Sequence, residues 1–293
     1  MSDDASISRE LPELSVVIPA YNRAEVVLTA VRSVLDQADE SVEVIVVDDG
    51  STDNTADVVE TFGDPRVRVI RADHQGVSST RNTGAAAARS SFLAFLDSDD
   101  VAEPGWVAAM IDANRRDLDL FTCASIDRWP DGRDEIVQAK PLGPALADLR
   151  AQFAPGSFGV RAKVFTRAGG YLPGLRYGEG THLMLELARV HLADPLRTDT
   201  TTEPLVLLYR RSRAYDAALY YESGAAALAT ASDMLSRDRK AYGRYLAITG
   251  TAASRLGHRR EAVELFARAA KADPIEWRHT ARLFRAALTR RPT

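Results

Sequence analysis

Three things are scarce in this 293-residue sequence: cysteine, net charge and long hydrophobic runs. Cys123 is the single cysteine, so an intramolecular disulfide is excluded and the chain is compatible with a reducing compartment. Nothing around Cys123 resembles a nucleophile paired with a base. We therefore interpret it as a small buried strand residue rather than a catalytic thiol.

The lack of long apolar runs bears on location. No window approaches the roughly 20 apolar residues that a membrane-spanning helix needs, and residues 1–5 lack the basic and apolar regions of a signal peptide. Lys and Arg number 37 against 41 Asp and Glu, a formal charge of -4, which argues against nucleic acid as the main partner. We predict a cytoplasmic protein and leave peripheral contact with a membrane open.

What is present is an ordinary globular composition, 45% hydrophobic and 27% charged, in which short apolar runs alternate with helical periodicity. The predicted strands of the first hundred residues are 14–19, 42–47, 67–70 and 92–96, and the predicted helices are 24–37, 53–62 and 76–89. Continuous apolar strands alternating with helices predict an α/β fold, with a mostly parallel sheet flanked by helices on both faces.

The second half of the chain has a looser pattern. It predicts a helix at 104–115, a hairpin of strands 120–129 and 134–139, a mobile loop or lid at 141–159, a helix at 181–192 and a last strand at 205–209. We expect an α/β domain at 1–213, with halves at about 12–115 and 116–213, and an all-helical subdomain at 214–293. The spacing of small residues in that subdomain is typical of one tetratricopeptide unit, which is a candidate for docking a partner or a second copy of the chain.

Polar residues follow each of the four predicted strands in the first hundred residues. Ligands of parallel sheets bind outside the carboxyl ends of the strands, so these residues are expected to line a site. They are Pro19-Ala20-Tyr21-Asn22-Arg23, Asp48-Asp49-Gly50-Ser51-Thr52-Asp53, Arg71-Ala72-Asp73 and Asp97-Ser98-Asp99-Asp100. Acid, hydroxyl, amide and arginine groups thus meet at one edge of the sheet.

Asp97-Ser98-Asp99 is the sharpest of these features. Two carboxylates one residue apart can share Mg²⁺ or Mn²⁺ and leave positions for water and for diphosphate oxygens. An acidic triplet is also a common helix cap or solvated turn. Its place directly after a buried strand favours a metal site with Asp97 and Asp99 as ligands.

Three further side chains suit a nucleotide. Asp49 could accept the N3–H of uracil or thymine, and Tyr21 could stack on the base; the structural alternatives are a strand-to-helix turn and a half-buried aromatic. Arg81 follows the small residues 76–80. It could bind a diphosphate bidentately, hold Asp97 in place, or be a plain surface arginine.

Together these blocks resemble the family 2 glycosyltransferases, which have the GT-A fold, a Rossmann-like sheet. The resemblance rests on residues 15–23, 43–53, 76–84 and 95–100 and extends loosely over 169–209. It implies a nucleotide-sugar donor in the amino-terminal half, with a uridine nucleotide favoured, and an acceptor entering from the carboxy-terminal half. The implied donor-binding residues are Pro19, Ala20, Tyr21, Arg23, Asp49, Arg81, Asp97, Ser98 and Asp99.

The resemblance has one departure. Gly169-Gly170-Tyr171 and residues 177–181 look like the family's Gly-Gly-aromatic segment and its Glu-Asp pair, but Gly180 stands where the family usually has its catalytic Asp. Glu179 could take over as base, or be an acid favoured by the helix dipole. His182 on the same turn could be a base or a metal ligand, although a lone His is more often neither.

The sequence therefore predicts a glycosyltransferase that needs Mg²⁺ or Mn²⁺ and moves a sugar from a nucleoside diphosphate, with inversion. Glu179 and Arg81 are the expected catalytic residues, and the acceptor is a hydroxyl on a saccharide, a small molecule, a lipid-linked molecule or a peptide. One alternative is a sugar-nucleotide synthase, which would want a glycine-rich basic loop where this chain has Pro19-Ala20-Tyr21-Asn22. Another is a non-catalytic nucleotide-sugar-binding or docking protein that lost its base at Gly180.

Overall fold

The computed structural model describes residues 11–142, 146–152, 154–210, 216–276 and 278–282. The strands are β1 (Leu14–Ala20), β2 (Val42–Asp48), β3 (Val67–Arg71), β4 (Phe92–Phe95), β5 (Val101–Ala102), β6 (Leu120–Arg128), β7 (Asp134–Val137), β8 (Lys140–Pro141), β9 (Arg150–Ala151), β10 (Phe158–Arg161) and β11 (Thr198–Tyr209). The helices are α1 (Val27–Leu35), α2 (Thr55–Phe62), α3 (Val77–Ala87), α4 (Trp106–Arg115), α5 (Ala162–Arg167), α6 (Glu179–Ala193), α7 (Ala217–Thr230), α8 (Ser232–Leu235), α9 (Arg239–Arg255) and α10 (Arg259–Ala272). The acidic start, part of the predicted loop at 141–159 and the end of the predicted helical subdomain lie outside the described residues.

Within those residues, nine strands form one mixed sheet in the order β3-β2-β1-β4-β10-β6-β11-β5, with β7 paired to β6. The first four strands are parallel, as predicted, so their carboxyl ends share one edge. The predicted hairpin is confirmed as the antiparallel pair β6 and β7. Strand β10 runs antiparallel between β4 and β6 and joins the two halves of the sheet.

Two predictions fail in the second half. The loop at 141–159 is wrong at its end, because Phe158 and Gly159 belong to the central strand β10. Gly159 signals close packing rather than a turn, since a Cβ there would lie 2.5 Å from Cε1 of Phe92. The last strand begins at Thr198 rather than Leu205, because its first residues are polar and carry no apolar signal.

The sheet has a separate apolar core on each face, because successive strand residues point to opposite sides. In β1, Val16 and Ile18 face the side covered by α1 and α4, whereas Val17 faces the side covered by α5 and α6. Cys123 is fully buried in β6, and this burial raises the pKa of its thiol to about 12. The thiol is therefore a structural residue, as the sequence indicates.

Past residue 216 the described residues form helices and no strand, as predicted. Helices α9 and α10 pack as a pair with a small core of their own. Helix α7 packs on α9 so closely that a Cβ on Gly224 would lie 2.1 Å from Oγ1 of Thr249. Within the described ranges no helix combines the length and the apolarity needed to cross a bilayer.

Candidate active site

A cleft of about 1370 Å³ opens at the carboxyl ends of the parallel strands. Part of its lining consists of Pro19, Ala20, Tyr21, Arg23, Asp49 and residues 97–100 together with Arg81 of α3; we call this part the donor wall, because the sequence predicts donor-binding residues there. Another part of the lining comes from the start of α6 and from α7 and α9. Ten of the predicted site residues line the cleft: Pro19, Ala20, Tyr21, Arg23, Asp49, Arg81, Asp97, Ser98, Asp99 and Glu179.

Arg81 connects the predicted metal pair with the predicted base. Its guanidinium is buried, with 1% of the side chain exposed; Nη2 lies 2.5 Å from Oδ1 of Asp97 and Nη1 lies 3.2 Å from Oε1 of Glu179. Burial would lower the pKa of Arg81, but the charges of Asp97 and Glu179 raise it above its usual value. Of the interpretations open from the sequence, holding Asp97 in place is the one that this geometry matches.

Helix α3 carries Arg81 to this position through close packing. A Cβ on Gly84 would lie 2.3 Å from Cγ1 of Val17, so only glycine lets the helix lie this near β1. The next residue, Asn82, exchanges two hydrogen bonds with the backbone of Tyr171, at 2.8 and 2.9 Å. The Gly-Gly-aromatic segment is therefore fastened to α3 beside the site.

The acids after β4 occupy different environments. The side chains of Asp97 and Asp99 are about a third exposed, and Asp99 lies 3.7 Å from the guanidinium of Arg23. Asp100 is buried and accepts the backbone N–H of Tyr209 at 2.9 Å. Burial, with the charges of Asp97 and Asp99, raises the pKa of Asp100 to about 8.

These acids fit a divalent cation of the kind that binds together with its substrate. No cluster of three or more His, Cys, Asp or Glu side chains that could hold a metal occurs in the described part of the chain. Asp97 and Asp99, both facing the cleft, match the one or two carboxylates with which Mg²⁺ is usually held beside phosphate oxygens.

Asp49 organises the part of the donor wall at the ends of β1 and β2. The residue is buried, with 4% of its surface exposed. Its carboxylate accepts hydrogen bonds from the backbone N–H groups of Gln75 at 2.9 Å and Gly76 at 3.0 Å, directly before α3. Its backbone N–H donates to the carbonyl of Ala20 at 2.8 Å. Asp49 thus ties the ends of β1 and β2 to α3, in addition to any contact with a base.

Tyr21 is exposed, and its ring lies on the ring of His74 with centroids 4.3 Å apart. Nδ1 of His74 lies 3.0 Å from the backbone carbonyl of Asp49. Sequence reasoning missed His74, which also lines the cleft. It follows the end of β3 by three residues, so the strand-end rule that identified its neighbours could have found it.

His182, predicted as a base or a metal ligand, lies away from the cleft lining, as do Asn22, Asp48 and residues 50–53 and 71–73 of the predicted strand-end runs. His182 is buried against α7, where Nε2 lies 2.8 Å from Oγ1 of Thr230. Burial and the charge of Arg189 lower the pKa of His182. Its surroundings are those of a packing residue between two helices.

Known proteins match part of this chain in sequence, and a solved structure matches nearly all of it in fold. Over 136 residues it is 33% identical to chondroitin synthase of Escherichia coli, and over 104 residues it is 42% identical to the succinoglycan biosynthesis protein ExoO of Rhizobium meliloti (strain 1021). These stretches cover 46% and 35% of this chain, but only 20% and 30% of the two relatives, so the chain matches a minor part of each.

The structure of S. aureus TarS 1-349 in complex with UDP-GlcNAc superposes with a TM-score of 0.65 at 17% identity, over 92% of this chain and 84% of that one. This likeness shows a common GT-A fold. The model of the family "Glycosyl transferase family 2" matches residues 15–171, more than half of the chain, and takes in β1 to β4 with their polar ends. The strand ends, the fold and this match agree: the chain belongs to glycosyl transferase family 2.

Proposed function

We propose that this chain transfers a sugar from a UDP-sugar to a hydroxyl acceptor, in a reaction that needs Mg²⁺ or Mn²⁺ and inverts the anomeric carbon. The observation that carries the proposal is the position of Arg81. One buried guanidinium pairs with Asp97 at the predicted diphosphate end and with Glu179 at the predicted acceptor end, in the same cleft. Such an arrangement suits a displacement between two substrates better than storage of a nucleotide.

The donor wall supplies the nucleotide contacts in this proposal. The base would lie by Tyr21 and Asp49, and the diphosphate by Asp97, Asp99 and Arg23. The fold neighbour TarS was solved with UDP-GlcNAc, which supports a uridine nucleotide. A divalent cation held by Asp97 and Asp99 would neutralise charge on the leaving diphosphate.

In this displacement Glu179 acts as the general base. The acceptor oxygen attacks the anomeric carbon from the face opposite the diphosphate, forms the new C–O bond, and breaks the bond to the diphosphate oxygen. The acceptor proton passes to the Glu179 carboxylate. The hydrogen bond from Arg81 fixes Oε1 of Glu179, so the other oxygen is the one that would take the proton.

Nucleotide release from a panel of donors tests the proposal. The full chain is incubated with UDP-, dTDP- and GDP-sugars, with Mn²⁺, with Mg²⁺ and with EDTA. We expect slow metal-dependent hydrolysis of a UDP-sugar and its loss in Asp99→Ala. If no nucleotide sugar is bound or turned over and Asp99→Ala changes nothing, the proposal fails. Tight binding with no turnover on saccharides or peptides would instead favour the non-catalytic alternative.

A further inference from the structure

The helical segment that follows the α/β fold forms one side of the cleft. We name this side the helical wall and define it as the cleft-lining residues of 176–181, α7 and α9. From α7 and α9 it includes Tyr220, Ser223, Tyr245 and Thr249. None of these residues lies within the 15–171 stretch that the family model matches.

Tyrosines dominate the wall next to the predicted base. Tyr177 and Tyr220 have ring centroids 4.8 Å apart, and their hydroxyl oxygens lie 3.4 Å from each other. The hydroxyl of Tyr245 is engaged with Ser223, and burial raises its pKa. Tyr177 is two residues from Glu179. Flat apolar rings that carry hydroxyls suit a ligand that offers both C–H faces and hydroxyl groups.

The position of the wall is held by tight packing. A Cβ on Gly178 would lie 2.2 Å from Oγ of Ser223, so the turn before α6 touches α7 directly. Gly224 makes the similar approach from α7 to Thr249. These close contacts between backbone and short side chains fasten the turn that carries Tyr177 to α7, which carries Tyr220.

The charges on the wall select the kind of ligand. Among its described residues Arg176 is the single basic one, and it is paired with Glu222 at 2.8 Å. Glu179 is the acidic residue of the wall, and Asp216, directly before α7, also lines the cleft. A phosphate-rich acceptor would therefore find no basic side chain among the described wall residues other than the paired Arg176, whereas a neutral polyhydroxylated molecule needs none.

We propose that the helical wall is the acceptor subsite and that it binds a neutral saccharide, with the Tyr177 and Tyr220 rings as its platform. This inference rests on the proposed function and deepens it. It gives the helical segment a role in acceptor choice, in addition to any docking of a partner.

Two titrations on the full chain test the inference separately from the proposed function. The first measures the affinity for UDP in the presence of Mn²⁺ by calorimetry. The second measures the binding of methyl glycosides of glucose, galactose, mannose and N-acetylglucosamine by saturation-transfer NMR. It is done in the presence of UDP and Mg²⁺, because Mn²⁺ would broaden the spectra. The variants are Tyr220→Ala and, as a control on the adjacent residue, Tyr221→Phe, whose hydroxyl contacts Glu261 away from the cleft.

We expect at least one glycoside to bind, Tyr220→Ala to weaken it about tenfold, and Tyr221→Phe and UDP binding to be unaffected. Thermal unfolding confirms that Tyr220→Ala is folded. The inference is overturned if no glycoside binds, or if Tyr220→Ala leaves glycoside binding intact or weakens UDP equally. Absence of UDP binding to the wild-type chain would instead remove the proposed function, and the glycoside titration would still report on the wall.

Discussion

The donor wall and the helical wall line one cleft but are built in different ways. The donor wall consists of short runs that directly follow parallel strands, so neighbours in sequence are neighbours in the site. The helical wall assembles single residues from three separate segments, such as Tyr177 before α6, Tyr220 of α7 and Tyr245 of α9. The first lies within the stretch that the family model matches, and the second lies outside it.

Glu179→Gln should have the largest effect of the variants considered, a loss of transfer rate. Glu179 lies where the two walls meet, in contact with Arg81. Glutamine keeps an oxygen for the hydrogen bond from Arg81 but does not accept the acceptor's proton. We expect the transfer rate to fall by roughly 10²- to 10⁴-fold and UDP binding to be unchanged. Steady-state transfer and calorimetry measure the two. Glu264→Gln, on the exposed side of α10, is the control.

A loss of UDP affinity equal to the loss of rate would place Glu179 on the donor wall instead. An unchanged rate would show that another group is the base, and the proposed catalytic role of Glu179 would be wrong.

Two glycine substitutions should separate the walls. Gly84→Ala forces a Cβ against Val17 and moves α3, which carries Arg81, whereas Gly224→Ala forces a Cβ against Thr249. We expect each to lower the free energy of unfolding by about 1–3 kcal/mol. Only Gly84→Ala should weaken UDP binding, and only Gly224→Ala should weaken glycoside binding. Denaturant unfolding and the two titrations measure this; equal losses of both ligands in both variants would contradict independent walls.

The smallest effect concerns pH. The folded pKa of His182 lies below its value in the unfolded chain because burial disfavours the charged ring. The unfolded state therefore binds the proton first, and stability is lost as pH falls below about 6.5. In His182→Gln the free energy of unfolding should fall less between about pH 7 and about pH 5 than in the wild type. Urea unfolding at the two pH values measures this difference, with His258→Gln, on an exposed turn, as control. The same difference in wild type and His182→Gln would show that His182 does not contribute to the pH dependence of stability.

Much of the donor wall could be predicted from sequence because strand ends carry local signals. An apolar run followed by Asp97-Ser98-Asp99 or by Tyr21 needs no long-range information to be recognised, and all of these residues line the cleft. The contact of Arg81 with both Asp97 and Glu179 could not be predicted, since Glu179 lies 98 positions from Arg81 in the sequence. His74 was missed although it obeys the same strand-end rule.

The second half resisted prediction for physical reasons. The predicted loop contained Gly156 and ended at Gly159, but Gly159 belongs to β10, where Phe92 and Met110 leave no room for a Cβ. The helices after residue 216 were predicted as helices, yet periodicity does not reveal which face covers a cleft. That depends on where α7 and α9 dock, and the close contacts of Gly178 and Gly224 that fix it are visible only in three dimensions.

The central claim is that the donor wall holds a nucleoside diphosphate through Asp97, Asp99 and a divalent cation. Calorimetric titration of UDP into the full chain, with Mn²⁺ and with EDTA, tests it most directly. We predict that Mn²⁺ strengthens UDP binding at least about tenfold and that Asp99→Asn abolishes this gain. Equal affinity with and without Mn²⁺ in the wild type, or an undiminished gain in Asp99→Asn, would contradict the account.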